Sequence, residues 1–135
     1  MFEVEVRNVA REPAGIGNAG PYTLVVDRPA DGGGRGVGFN GGQLLYLAIA
    51  GCVSNDLFRE ARAEGIELER IRVTVRGDFS GDPPVSTDVV YDIELTGDAP
   101  RSRLEELVSR VDDIAEIPNS LRQGTSVTLG TLRIG

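Results

Sequence analysis

The sequence predicts an α+β fold in the order ββαββαβ, with a mainly antiparallel sheet and one long buried central helix. Three patterns carry that expectation. Stretches of strict apolar–polar alternation mark half-buried strands, an apolar run after a glycine-rich segment marks the long helix, and a stripe at 3.6-residue spacing marks a second helix. The 135 residues suit a single domain over 1–135.

Phe2, Val4 and Val6 alternate with Glu3, Glu5 and Arg7, which predicts a first strand with one buried face. Two turn-rich segments, 12–15 and 17–21, interrupt it, and Tyr22–Val26 follows as the second strand of a hairpin with a long connection. The segment 31–38 is a glycine-rich loop. Asn40 is placed to cap a helix running to about Glu64, with Gly65 as its stop. The first half of that helix is apolar on all sides, which predicts burial all round, in a core or against a partner subunit. From Asp56 onward, with Arg59, Glu60, Arg62 and Glu64, it turns polar and is expected to surface.

Ile71, Val73 and Val75 alternate with arginine and threonine as a third strand, and Val89, Tyr91, Ile93 and Leu95 give a fourth after the turn at 81–84. Leu104, Leu107, Val108, Val111, Ile114 and Ala115 form the stripe of the second helix, which Pro118 is expected to close. Val127, Leu129, Leu132 and Ile134 predict a terminal strand.

Composition excludes several chemistries. The net charge is −7, which repels phosphate backbones and anionic lipid surfaces, and no stretch interleaves basic with aromatic residues, so no nucleic-acid partner is expected. The longest apolar run, 44–53, is about half the length that spans a bilayer, so no membrane association is expected. The amino terminus lacks the basic flank and apolar core of a signal peptide, and a single cysteine forms no internal disulfide; both fit a cytoplasmic protein. Without histidine there is no Ser-His-Asp or Cys-His catalysis and no His-ligated metal. All 14 basic residues are arginine, which removes Schiff-base chemistry and the phosphate-loop lysine. No cofactor and no metal site are expected.

Cys52 is the residue on which chemistry can centre. At 100° per residue it shares a helix face with Leu45, Ala48, Ile49, Asn55, Asp56 and Arg59. A reactive thiol there needs a cation or donors nearby. Arg59 is on the right face, and Arg35, in the glycine-rich loop, is the arginine that could fold back over it. The competing reading is an inert core cysteine. The loop precedes a helix as anion-binding loops do, but it matches no phosphate-loop signature and reads more simply as a mobile loop. The acidic pairs Glu105–Glu106 and Asp112–Asp113 fall on the polar helix face and read as solvated.

The run Asn40-Gly41-Gly42-Gln43-Leu44-Leu45-Tyr46-Leu47-Ala48-Ile49-Ala50-Gly51-Cys52 resembles the segment that opens the central helix in the OsmC/Ohr family of osmotically inducible and organic hydroperoxide resistance proteins. The stretch from Glu64 to Val73 is similar to the family's helix end and following strand, and Ile117-Pro118-Asn119-Ser120 is placed like the family's Cys-Pro-Val-Ser segment. The resemblance implies an OsmC-like fold, an intertwined homodimer, and thiol-dependent reduction of organic hydroperoxides. In that chemistry one cysteine attacks the peroxide, a second resolves it, and an arginine and a glutamate hold the thiolate. Two departures stand out: Ile117 occupies one cysteine position and Gly42 the glutamate position. Cys52 aligns with the remaining cysteine, and Arg35 is the loose counterpart of the arginine. Two functions follow: a one-cysteine peroxidase that depends on an external thiol reductant, or a non-catalytic OsmC-fold protein that binds a small apolar ligand or an interaction partner, with Cys52 as packing.

Overall fold

A computed structural model describes residues 1–135, and the chain falls into two compact units, Met1–Leu47 and Ala48–Gly135. The α+β class holds, and every strand pair is antiparallel.

The first unit is built on a three-stranded sheet of β1 (Glu5–Asn8), β2 (Gly15–Ala19) and β3 (Tyr22–Val26), in that order. β2 corrects the expectation of turns over 12–15 and 17–21. Its glycines disguise it, and they are there for space. A Cβ at Gly15 would lie 2.7 Å from Val6 Cγ1, and one at Gly17 would lie 3.3 Å from side-chain carbons of Leu24 and Val26. The predicted first strand also shifts: β1 begins at Glu5 and is exposed along its length, with Phe2 and Val4 outside it and exposed.

Beyond β3 the chain folds around Asp27, which is only 3% exposed. Its carboxylate accepts backbone N–H bonds from Arg28 at 2.8 Å, Arg35 at 3.0 Å and Val37 at 3.2 Å. Burial would raise its pKa, but the N–H groups of Val37, Arg28, Arg35 and Gly36 outweigh that and hold it below the ordinary value. These bonds tie one carboxylate to the glycine-rich segment. A short 3₁₀ turn, Ala30–Gly32, opens it, and the loop closes through a bond from the Phe39 amide to the Val25 carbonyl. The helix that follows starts with a reciprocal cap. The Asn40 side chain accepts from the Gln43 amide at 2.9 Å, and the Gln43 side chain accepts from the Asn40 amide at 3.0 Å.

That helix, α1 (Gly41–Ala63), ends before Gly65, whose φ of 70° suits glycine. Its burial follows a stripe along the whole helix: Ile49 and Val53 of the apolar half are buried and Arg59 and Arg62 of the polar half are exposed, as expected, with exceptions in each half. Leu47, in the apolar half, is 51% exposed, while Asp56, Leu57 and Ala61 in the polar half are buried.

In the second unit, β4 (Leu68–Ser80) and β5 (Val85–Gly97) form a long hairpin that pairs Ile71 with Leu95, Val73 with Ile93 and Val75 with Tyr91 on one half-buried face. Val53, Leu57 and Ala61 line one stripe of α1 at four-residue intervals. Leu107 and Val111 do the same on α2 (Arg101–Ile114), and with Ile49, Ile66 and Ala115 they form the core of this unit.

Pro118 does not close the second helix. It lies in the first turn of a further helix, α3 (Glu116–Arg122), where the N–H that proline lacks would have no helical partner anyway. The predicted terminal strand is absent. Val127, Leu129, Leu132 and Ile134 lie outside any regular element and are 71–94% exposed. The alternation is present, but a strand exists only against an edge, and this segment pairs with none in the single chain.

Candidate active site around Cys52

Cys52 is a free, half-buried thiol on α1. One turn on, its S–H points to Asp56 Oδ2 at 4.0 Å, the outer reach of a sulfur hydrogen bond. Asp56 is buried, and a buried carboxylate needs a partner. Arg59 supplies it through Nη1 at 3.0 Å from Oδ1, while its Nε donates to Glu60 at 3.2 Å. The bond to Glu60 and the charge of Asp56 both raise the Arg59 pKa. The chain of charges continues to the second helix: Arg110 faces Glu60 at 3.9 Å and bonds to Glu64, and Arg103 lies 3.9 Å from Glu64. Beside the thiol, Gly51 leaves the helix flank bare, since a Cβ there would meet nothing within 4 Å.

Spacing placed Asp56 and Arg59 on the face of Cys52, but charge made both read as surface. Asp56 is the functional candidate this hid. Its signal was a carboxylate one turn from the thiol with an arginine three residues further on. Arg35 is held in its own unit, where its guanidinium bonds to both Glu12 oxygens at 2.6 and 2.8 Å. That pair raises the Arg35 pKa and lowers that of Glu12. The anion-binding reading of the glycine-rich loop loses its donors: the amides of Arg35 and Val37 are spent on Asp27, and those of Gly32, Gly33, Gly34 and Gly36 on backbone carbonyls.

A second polar cluster corrects the reading of Asp112 as a solvated acid. Tyr91 donates to its carboxylate, and Arg122 bonds to the same oxygen at 2.7 Å. Burial, then the bond to Asp112, pushes the Tyr91 pKa up to about 12. The bonds from Tyr91 and Arg122 hold Asp112 below its usual range. This cluster borders a groove of about 1200 Å³ between β5 and α2, whose apolar lining includes Val89, Ile93, Leu95, Leu104 and Val108. No group of three His, Cys, Asp or Glu residues is spaced to hold a metal ion, and no helix is long and apolar enough to cross a membrane.

A family model described as OsmC-like protein matches residues 32–130. The chain belongs to the OsmC-like family. Its fold is shared with an OsmC-like protein from Mycoplasma pneumoniae at a TM-score of 0.78 and 17% identity, covering 93% of this chain and 89% of that one. An organic hydroperoxide resistance protein from Legionella pneumophila aligns at 0.63 and 18% identity, covering 90% and 89%. OhrB of Bacillus subtilis, an organic hydroperoxide resistance protein, aligns at 0.58 and 20% identity, covering 92% of both chains. No curated protein matches the sequence. Cys52 lies on the long helix α1, and Ile117 lies in the first turn of α3.

Proposed function

We propose that this OsmC-like protein is a cytoplasmic, thiol-dependent redox protein of peroxide stress, in which Cys52 reduces a small organic hydroperoxide. The observation that carries this reading is the placement of the one thiol on α1, beside the bare flank at Gly51 and in contact with a carboxylate. The sulfur attacks the terminal peroxide oxygen, the O–O bond breaks, an alcohol leaves, and Cys52 becomes a sulfenic acid. With no second cysteine in the chain, an external small thiol must return it to the reduced state. Arg35 is retained as the arginine of the loop, with Glu12 as its competing partner.

Mass spectrometry of the native protein after exposure to an organic hydroperoxide tests this. The expected result is one added oxygen on Cys52, removed by small thiols and absent in Cys52→Ser. Excess oxidant should drive the wild type on to the irreversible sulfinic acid. A thiol silent to hydroperoxide and to alkylation until the protein is denatured would overturn the reading. It would favour the second one, in which the apolar groove between β5 and α2 takes a small ligand and Cys52 is packing.

We also propose that 1–135 works as one OsmC-like domain within an intertwined homodimer. The family match crosses the boundary between the two units. Each strand of the β4–β5 hairpin has one unpaired edge, and the exposed apolar segment 127–134 has the alternation of a strand. Such edges and segments are unstable alone and are satisfied by a second copy. Sedimentation at micromolar concentration should return twice the chain mass of 14.4 kDa; a monomer would refute the arrangement.

A further inference from the structure

Proton balance at the thiol calls for a carrier. Attack by a thiol on a hydroperoxide releases two species that the active site must reconcile: the proton of the S–H group and an alkoxide that needs one. A carboxylate within reach of both removes the need for free alkoxide. The geometry points to Asp56 as that carrier and to Arg59 as the residue that positions it, an inference that rests on the thiol reading above.

Four observations support it. Asp56 is one of only two buried acidic side chains in the chain, and the other, Asp27, is consumed by its own loop. Its two oxygens are divided between tasks: Oδ1 is held by Arg59 at 3.0 Å, and Oδ2 faces Cys52 Sγ at 4.0 Å. The oxygen toward the thiol is therefore the one free to take a proton. Arg59 is itself fixed from the far side by Glu60, so the carboxylate is presented in one orientation. Finally, Cys52 is only half-buried, and its chain neighbour Gly51 leaves open space on its own flank, where a Cβ would meet nothing within 4 Å.

The step balances as follows. Sulfur bonds to the terminal oxygen of the hydroperoxide, the O–O bond breaks, and sulfur is oxidised by two electrons as the peroxide is reduced. The S–H proton passes to Asp56 Oδ2 and then to the leaving alkoxide. The products are the Cys52 sulfenic acid and an alcohol, and Asp56 returns to its carboxylate.

A comparison of two leaving groups tests this in the intact protein. Iodoacetamide expels iodide, which needs no proton; an organic hydroperoxide expels an alkoxide, which does. In Asp56→Asn, oxidation of Cys52 should slow about 100-fold, while alkylation should not fall, since a negative charge next to the sulfur has been removed. Asp56→Glu should recover part of the oxidation rate. Equal slowing of both reactions would mean that Asp56 acts on the fold or on the S–H proton alone and delivers nothing to the alkoxide, and unchanged oxidation would mean no role; either overturns the inference. If the wild type is alkylated but never oxidised, the redox reading itself fails. That outcome is separate from one in which the wild type is oxidised and Asp56→Asn keeps pace.

Discussion

Leu57→Ala lowers the free energy of unfolding by about 3–5 kcal/mol. Leu57 is 0% exposed, and its neighbours on the α1 stripe, Val53 and Ala61, are equally closed to water. Removing the isobutyl group forfeits its transfer from water and leaves a cavity that a stripe on a rigid helix cannot collapse around. For a chain of this size the melting temperature should drop by roughly 10 °C or more. Arg62→Ala, on the exposed side of the same helix, is the control and should stay within about 0.5 kcal/mol. Chemical denaturation of the two variants settles the matter: similar midpoints would mean that the buried stripe of α1 is not the core of its unit.

Gly34→Ala has the second large effect, and its cause is space. A Cβ at this position would run into the Arg28 carbonyl oxygen, and it would lie 2.6 Å from Asp27 Oδ1 and 2.7 Å from the Arg28 carbonyl carbon. Gly34 is not among the glycines with positive φ, so conformational strain is not the issue. Backbone cannot swing aside as a side-chain tip does, and the loop must open, at a cost of about 2 kcal/mol or more. Gly20→Ala separates the two effects. Its φ is 57° and its Cβ would meet nothing within 4 Å, so only the left-handed penalty of about 1 kcal/mol remains. Asp27→Asn probes the same loop by pH. The Asp27 carboxyl is depressed in the folded protein, so its contribution is complete above its unfolded value of about 3.9. It is lost as pH falls through the folded value. Stability of the variant should therefore fall less steeply than wild type between about pH 5 and pH 3, measured as urea midpoints.

What the sequence discloses follows from where each pattern has its cause. The stripe on α2 is legible because Leu107 and Val111 face a core inside the same chain. The strand β2 is not, because Gly15 and Gly17 carry no side chain to alternate; they are chosen for cross-strand approach. Asp56 was misplaced because charge signals surface until a partner is known, and Arg59 becomes its partner only when the helix is built. The segment 127–134 alternates correctly yet forms no strand, since alternation reports a preference for a sheet without saying whose edge is available. Pro118 signals a helix boundary, but the one it marks is the first turn of α3, past the end of α2 at Ile114. Helical spacing made legible that Cys52 shares a face of α1 with Asp56 and Arg59; the burial of Asp56 and its pairing with Arg59 were not.

The loop closed by Asp27 also bears on how the chain begins to fold. The most distant of its bonded amides is Val37, ten residues away. Contacts over that span close in about 10–100 ns, well before hairpins form in microseconds. A run of glycines would ordinarily lengthen the conformational search, having more freedom to lose than any other sequence. In the folded chain a ring of amides around one carboxylate removes that freedom with contacts that span no more than ten residues.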